Sequence, residues 1–152
     1  MSRTVARFPV PPERVFAVLS DPFTYADWVV GSDTIRDADD TWPAPGSRLH
    51  HRVGVGPLKI NDNTEVVESI PPRRLVLQAR ARPLGTARVI FDLAPVADGT
   101  EVTLTEEPGD LLSRVLHNPI ADRILGRRNV ATLRRLGEVA GAGTDVPARE
   151  VR

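Results

Sequence analysis

The sequence predicts an α+β domain in which an antiparallel sheet is covered on one face by a long C-terminal helix. Two observations carry that prediction. From Gly46 to Glu107, four turn signals separate short runs whose alternation keeps one face apolar from each run to the next. Beyond Pro108-Gly109-Asp110 the apolar spacing lengthens to that of a helix.

Thr4 to Val10 reads as a first strand, stopped by Pro9, Pro11 and Pro12. The same prolines open a short helix, because their fixed φ suits a first helical turn. Val15, Phe16, Val18 and Leu19 form its apolar stripe, and Asp21-Pro22 caps a second short helix through Phe23, Tyr25 and Trp28. Val29 to Trp42 holds a weak strand near Thr34 to Ala38, in a register the residues leave open.

The hairpins follow from Gly56-Pro57, Pro71-Pro72, Pro83-Leu84-Gly85 and Asp98-Gly99. The first turn sets Val53 against Ile60, His51 against Asp62 and Leu49 against Thr64; the second sets Thr64 against Ala79 and Val66 against Leu77. The third is expected to set Ala79 against Val89 and Leu77 against Phe91, and the fourth Leu93 against Leu104 and Phe91 against Glu106. All four put Val53, Val55, Ile60, Val66, Leu75, Leu77, Val89, Phe91, Leu93, Val102 and Leu104 on one face. Arg52, Lys59, Glu65, Gln78, Arg80, Arg88, Asp92 and Thr103 fall on the other, with Val67, Val76 and Ile90 as apolar exceptions, so the sheet is covered on one side only.

The covering helix starts with a turn or two over Leu111 to His117, is interrupted at Asn118-Pro119, and runs to about Ala140 before Gly141. Ile120, Ile124, Leu125, Val130, Ala131, Leu133, Leu136 and Ala140 are expected to make its apolar side, with Arg123, Arg127, Arg134 and Arg135 elsewhere. Gly141 to Arg152, small, polar or charged, reads as a disordered tail after a single domain of residues 1–140.

The chain has 152 residues, zero formal net charge and no cysteine. That excludes disulfides, thiolate metal sites and a cysteine nucleophile, and gives no global bias toward nucleic acid. No apolar run nears the roughly 18 residues of a membrane span, and Met1-Ser2-Arg3-Thr4 lacks a secretory pattern, so a cytoplasmic protein is expected. Monomer and homodimer are both left open.

Val10-Pro11-Pro12-Glu13-Arg14-Val15-Phe16, Leu19-Ser20-Asp21-Pro22, Trp28, the stretch Glu65 to Leu75 and Asp98-Gly99-Thr100 before a strand resemble the START-like SRPBCC superfamily. The resemblance covers residues 3 to 140 and is nearest to small bacterial proteins labelled polyketide cyclase/dehydrase or lipid-transport-like. It implies a helix-grip fold, as in the pollen allergens: a curved seven-stranded sheet wraps the C-terminal helix and leaves a ligand cavity between them. It does not select an activity.

The register supplies candidate residues. Ala79, Ala81 and Ala87 are small, inward and close together, either to leave room for a ligand or because the helix packs close there. Beside them His51 and Asp62 form the expected polar end, with Asp62 orienting the imidazole and raising its pKa. Such a pair suits a general base or an anchor for a hydroxyl or carbonyl oxygen, or simply satisfies itself. Thr64, Val89 and Phe91 line the same face, Tyr25 and Trp28 close its mouth or join the core, and His50 alternates toward solvent. Glu106, about 13 Å of strand rise from the His/Asp row, is expected to meet water or an arginine of the last helix.

No serine sits beside the pair and one histidine with one carboxylate falls short of a metal site, so neither hydrolysis, metal nor organic cofactor is expected. The favoured function is binding or transport of a small hydrophobic ligand, lipid or polyketide-like. The alternatives are a polyketide cyclase or dehydratase moving protons through His51 and Asp62, and a non-catalytic module using Arg123, Arg127 and Arg134.

Overall fold

A computed structural model describes residues 2–30, 32–55, 57–81, 85–109, 118–143 and 146–151. Strand β1 (Ser2–Phe8) is followed by helix α1 (Pro12–Leu19), a 3-10 turn (Pro22–Thr24) and helix α2 (Tyr25–Trp28). Strands β2 (Ser32–Ala38), β3 (Arg48–Val55), β4 (Leu58–Ile70), β5 (Arg74–Ala81), β6 (Gly85–Val96) and β7 (Gly99–Pro108) come next. Helix α3 (Pro119–Val139) and strand β8 (Ala148–Glu150) complete the order. The eight strands form one antiparallel sheet in the order β2-β3-β4-β5-β6-β7-β1-β8. The architecture is the expected one with one strand more.

That extra strand corrects the expected disordered tail. Ala148–Glu150 pairs antiparallel with β1, Val146 is buried, and the Glu150 carboxylate lies where a Cβ on Gly126 of α3 would be. The tail was misread because three residues of pairing carry no alternation long enough to see. Deleting residues 144–152 is expected to lower the unfolding free energy by about 2 kcal/mol, the worth of one buried valine. Urea denaturation checks this, and a change below about 0.5 kcal/mol would show that the tail adds nothing.

The first two hairpins hold the predicted register: His51 opposes Asp62, Thr64 opposes Ala79 and Val66 opposes Leu77. A bulge between Val66 and Glu68 leaves Val67 without a cross-strand partner and exposed. The other two hairpins are each displaced by two residues. Leu77 pairs with Val89 rather than Phe91, and Leu93 with Val102 rather than Leu104. The reason is the turn: Val96 pairs with Gly99, so Ala97-Asp98 and not Asp98-Gly99 is the loop. Gly99 must stay a glycine, since a Cβ there would strike the Phe8 carbonyl. Because side chains alternate with period two, slips of two keep every inward residue inward. They also run in opposite directions, so β7 keeps its predicted position relative to β5.

Val66, Leu75, Leu77, Phe91, Leu93, Val102 and Leu104 are accordingly buried, with Ala6, Phe8, Val15, Phe16, Leu19 and Trp28 in the same core. Val53 and Val55 lie outside the described side chains, and Leu111 to His117 outside the described residues. Helix α3 buries Asn129, Thr132, Leu133, Leu136 and Ala140 against β1, α1 and α2. Ile120 and Ile124, expected on that side, are instead 73% and 65% exposed. The apolar set chosen from the sequence winds around the helix, whereas the buried stripe includes two polar residues.

Candidate functional site

Three elements bring the polar groups together under the sheet. Helix α2 directs Tyr25 and Trp28 inward, while β3 and β4 contribute His51, Asp62 and Thr64 by alternation. His51 Nε2 and Thr64 Oγ1 are 2.8 Å apart, and the Tyr25 hydroxyl lies 3.4 Å from the same Oγ1. The Tyr25 and His51 rings stack, with centroids 5.9 Å apart and planes 5° from parallel. Trp28 meets Tyr25 and Phe91 edge-on at 5.1 and 5.6 Å, and its indole N–H donates to Thr24 Oγ1.

His51 is 2% exposed, yet its Nδ1 has no hydrogen-bond partner. The orienting bond expected from Asp62 is therefore not made. Asp62 Oδ1 instead accepts from the Asn63 backbone and side-chain N–H groups at 2.8 and 3.4 Å. Nor is the imidazole made more basic. Burial lowers the His51 pKa to about 4, and the Asp62 charge only partly offsets it. At neutral pH the ring is uncharged, a hydrogen-bonding group and a weak base. Burial likewise raises the Tyr25 pKa, which keeps its phenol protonated.

A row of the sheet runs from Thr64 through Ala79 and Ala87 to Pro108. The next runs from Val66 through Leu77 and Val89 to Glu106 and Ser2. Ala79, Ala87 and Val89 face inward but keep partial exposure, unlike Leu75, Leu77 and Phe91 around them. Ala81 pairs with Gly85, and its side chain lies outside the described set. Glu106 sits beside Val89 rather than Phe91, the consequence of the hairpin slips.

Glu106 forms a second polar group that the strand pattern only half revealed. Arg128 Nη2 donates to both its carboxylate oxygens at 2.7 and 2.8 Å, and Asn129 Nδ2 donates to Oε2 at 3.0 Å. An arginine of the last helix was expected there, but Arg128 and Asn129 were not singled out. Their signal lay in the helix spacing: Asn129 falls four residues after Leu125 and four before Leu133, on the buried stripe. His50, as expected of an outward position, is not buried. A separate open groove of about 470 Å³ between α1, the 3-10 turn and the end of α3 is lined by Arg14, Val18, Asp21, Thr24 and Val139, and includes none of the site residues expected from the sequence. Among the described residues no cluster of three potential metal ligands occurs.

A curved antiparallel sheet closed by a C-terminal helix, with buried polar groups on its inner face, defines a helix-grip protein. The chain belongs to the polyketide cyclase / dehydrase and lipid transport family, whose model matches residues 2–141. A search of curated proteins found no match. Solved structures share the fold. A Rhodobacter sphaeroides protein superposes with a TM-score of 0.70 at 19% identity, over 93% of this chain and 94% of its own. A Nitrosomonas europaea protein gives 0.68 at 19% identity, over 91% and 92%. A Thermus thermophilus protein gives 0.67 at 17% identity, over 92% and 96%.

Proposed function

We propose that this protein binds a small hydrophobic ligand, lipid or polyketide-like, between the inner face of the sheet and the C-terminal helix. The single observation that carries the reading is the unpartnered Nδ1 of His51, a polar atom buried in an otherwise satisfied cluster. Leaving such an atom bare costs about 1–3 kcal/mol, which a ligand hydroxyl or carbonyl would recover. Glu106 cannot play this part as readily, since Arg128 and Asn129 already occupy its oxygens. The partly exposed Ala79, Ala87 and Val89 supply apolar contact beside the Tyr25, His51 and Thr64 groups.

Binding is favoured over proton transfer by His51 and Asp62 because the imidazole is a weak base and no hydrogen bond joins its Nδ1 to Asp62. The test is native mass spectrometry after incubation with a lipid and metabolite extract. Wild type is expected to retain a defined small molecule, and His51→Ala to weaken retention about tenfold, the loss of one buried hydrogen bond. Thr64→Val, which frees Nε2 to relax, is expected to weaken it less. Recovery of the compound with altered mass would instead make the protein an enzyme. Retention of nothing by any variant would remove the cavity reading.

A further inference from the structure

Helix α3 has two opposite faces with opposite requirements. At 3.6 residues per turn, Ile120, Arg123, Ile124, Arg127 and Arg134 fall within about a 100° arc. The buried Asn129, Thr132, Leu133, Leu136 and Ala140 lie on the far side of the helix. The isoleucines are 73% and 65% exposed, and the three arginines are exposed as well. No ion pair engages Arg123, Arg127 or Arg134 among the described residues. A solvated helix face has no need of two β-branched apolar side chains one turn apart.

We infer that this face of α3 docks on an anionic lipid bilayer, with Ile120 and Ile124 entering the interface and Arg123, Arg127 and Arg134 meeting lipid phosphates and carboxylates. The alternation of apolar and basic groups along one stripe is what an interfacial helix requires. A second copy of the chain fits poorly. A two-fold contact centred on Ile120 and Ile124 would bring Arg123 and Arg127 near those of its mate, and Glu138, the one acid in the arc, lies about 16 Å along the helix from Arg127. A nucleic acid would use the arginines but gain nothing from the isoleucines. This inference is independent of the cavity reading, since it concerns the opposite side of the helix.

Co-sedimentation with vesicles tests it, using phosphatidylcholine alone and phosphatidylcholine with about one-third phosphatidylserine. Binding is expected only to the anionic vesicles and to fall as salt rises. Each of Arg123→Gln and Arg127→Gln should weaken partitioning about fivefold. Ile120→Ser with Ile124→Ser should weaken it at least tenfold. These positions are exposed, and unchanged thermal unfolding of the variants confirms that the fold is kept. The inference is overturned by equal binding to both vesicles, by no binding, or by variants that bind like wild type. It is also overturned if a single-stranded RNA binds in competition with the vesicles, or if the isoleucine variant converts a dimer to a monomer.

Discussion

Phe91→Ala is expected to lower the unfolding free energy by about 3–5 kcal/mol, the largest effect of any single substitution considered for this protein. Phe91 is 1% exposed and stands on β6 between Leu75 and Leu104 of the neighbouring strands. Its ring packs edge-on against Trp28, which packs against Tyr25, which stacks on His51. Truncation removes both the transfer free energy of the ring and the support for Trp28, whose indole is too large to fill the space without leaving Thr24. Phe91→Leu, closer in volume, should cost under about 1.5 kcal/mol, and Phe23→Ala, on an exposed turn, under about 0.5 kcal/mol. Chemical denaturation orders the three. A Phe91→Ala cost no larger than that of Phe23→Ala would mean that the aromatic chain does not hold the helices to the sheet.

What the sequence made legible follows from how densely each segment constrains itself. The strands from Arg48 to Pro108 alternate over long runs, so the inward face was readable even where two turns were placed one residue off. Register was less secure than face: period two tolerates a slip of two, and only Gly99 against the Phe8 carbonyl fixes the fourth turn. Strand β2 gave no register because its pairing with β3 is irregular at two places, between Ser32 and Thr34 and between Ile35 and Asp37. The proximity of His51, Asp62 and Thr64 was legible for the same reason as the sheet. Their hydrogen bonding was not, because backbone pairing puts His51 opposite Asp62 while the ring turns toward Thr64. Nor could alternation show that Tyr25, from a different element, would cover the imidazole and dry it.

That dry environment makes part of the domain's stability depend on pH. His51 ordinarily titrates near 6.5, and burial lowers it to about 4. The unfolded chain therefore binds a proton that the folded chain refuses across this window. A group whose folded pKa is depressed contributes stability that is fully present above the unfolded value, and it is lost as pH falls toward the folded value. Between pH 7 and pH 4, wild type is expected to lose roughly 3 kcal/mol through this residue alone. Carboxylates titrate over part of the same range, so the diagnostic quantity is a difference. His51→Gln keeps a neutral hydrogen-bonding group beside Thr64 and has no proton to refuse, so its stability should fall less steeply between those limits. Urea denaturation of both proteins at steps across the window gives the two slopes. Parallel slopes would mean that His51 takes up its proton in the folded state as easily as in water, and with that the case for a dry, ligand-seeking imidazole would fail.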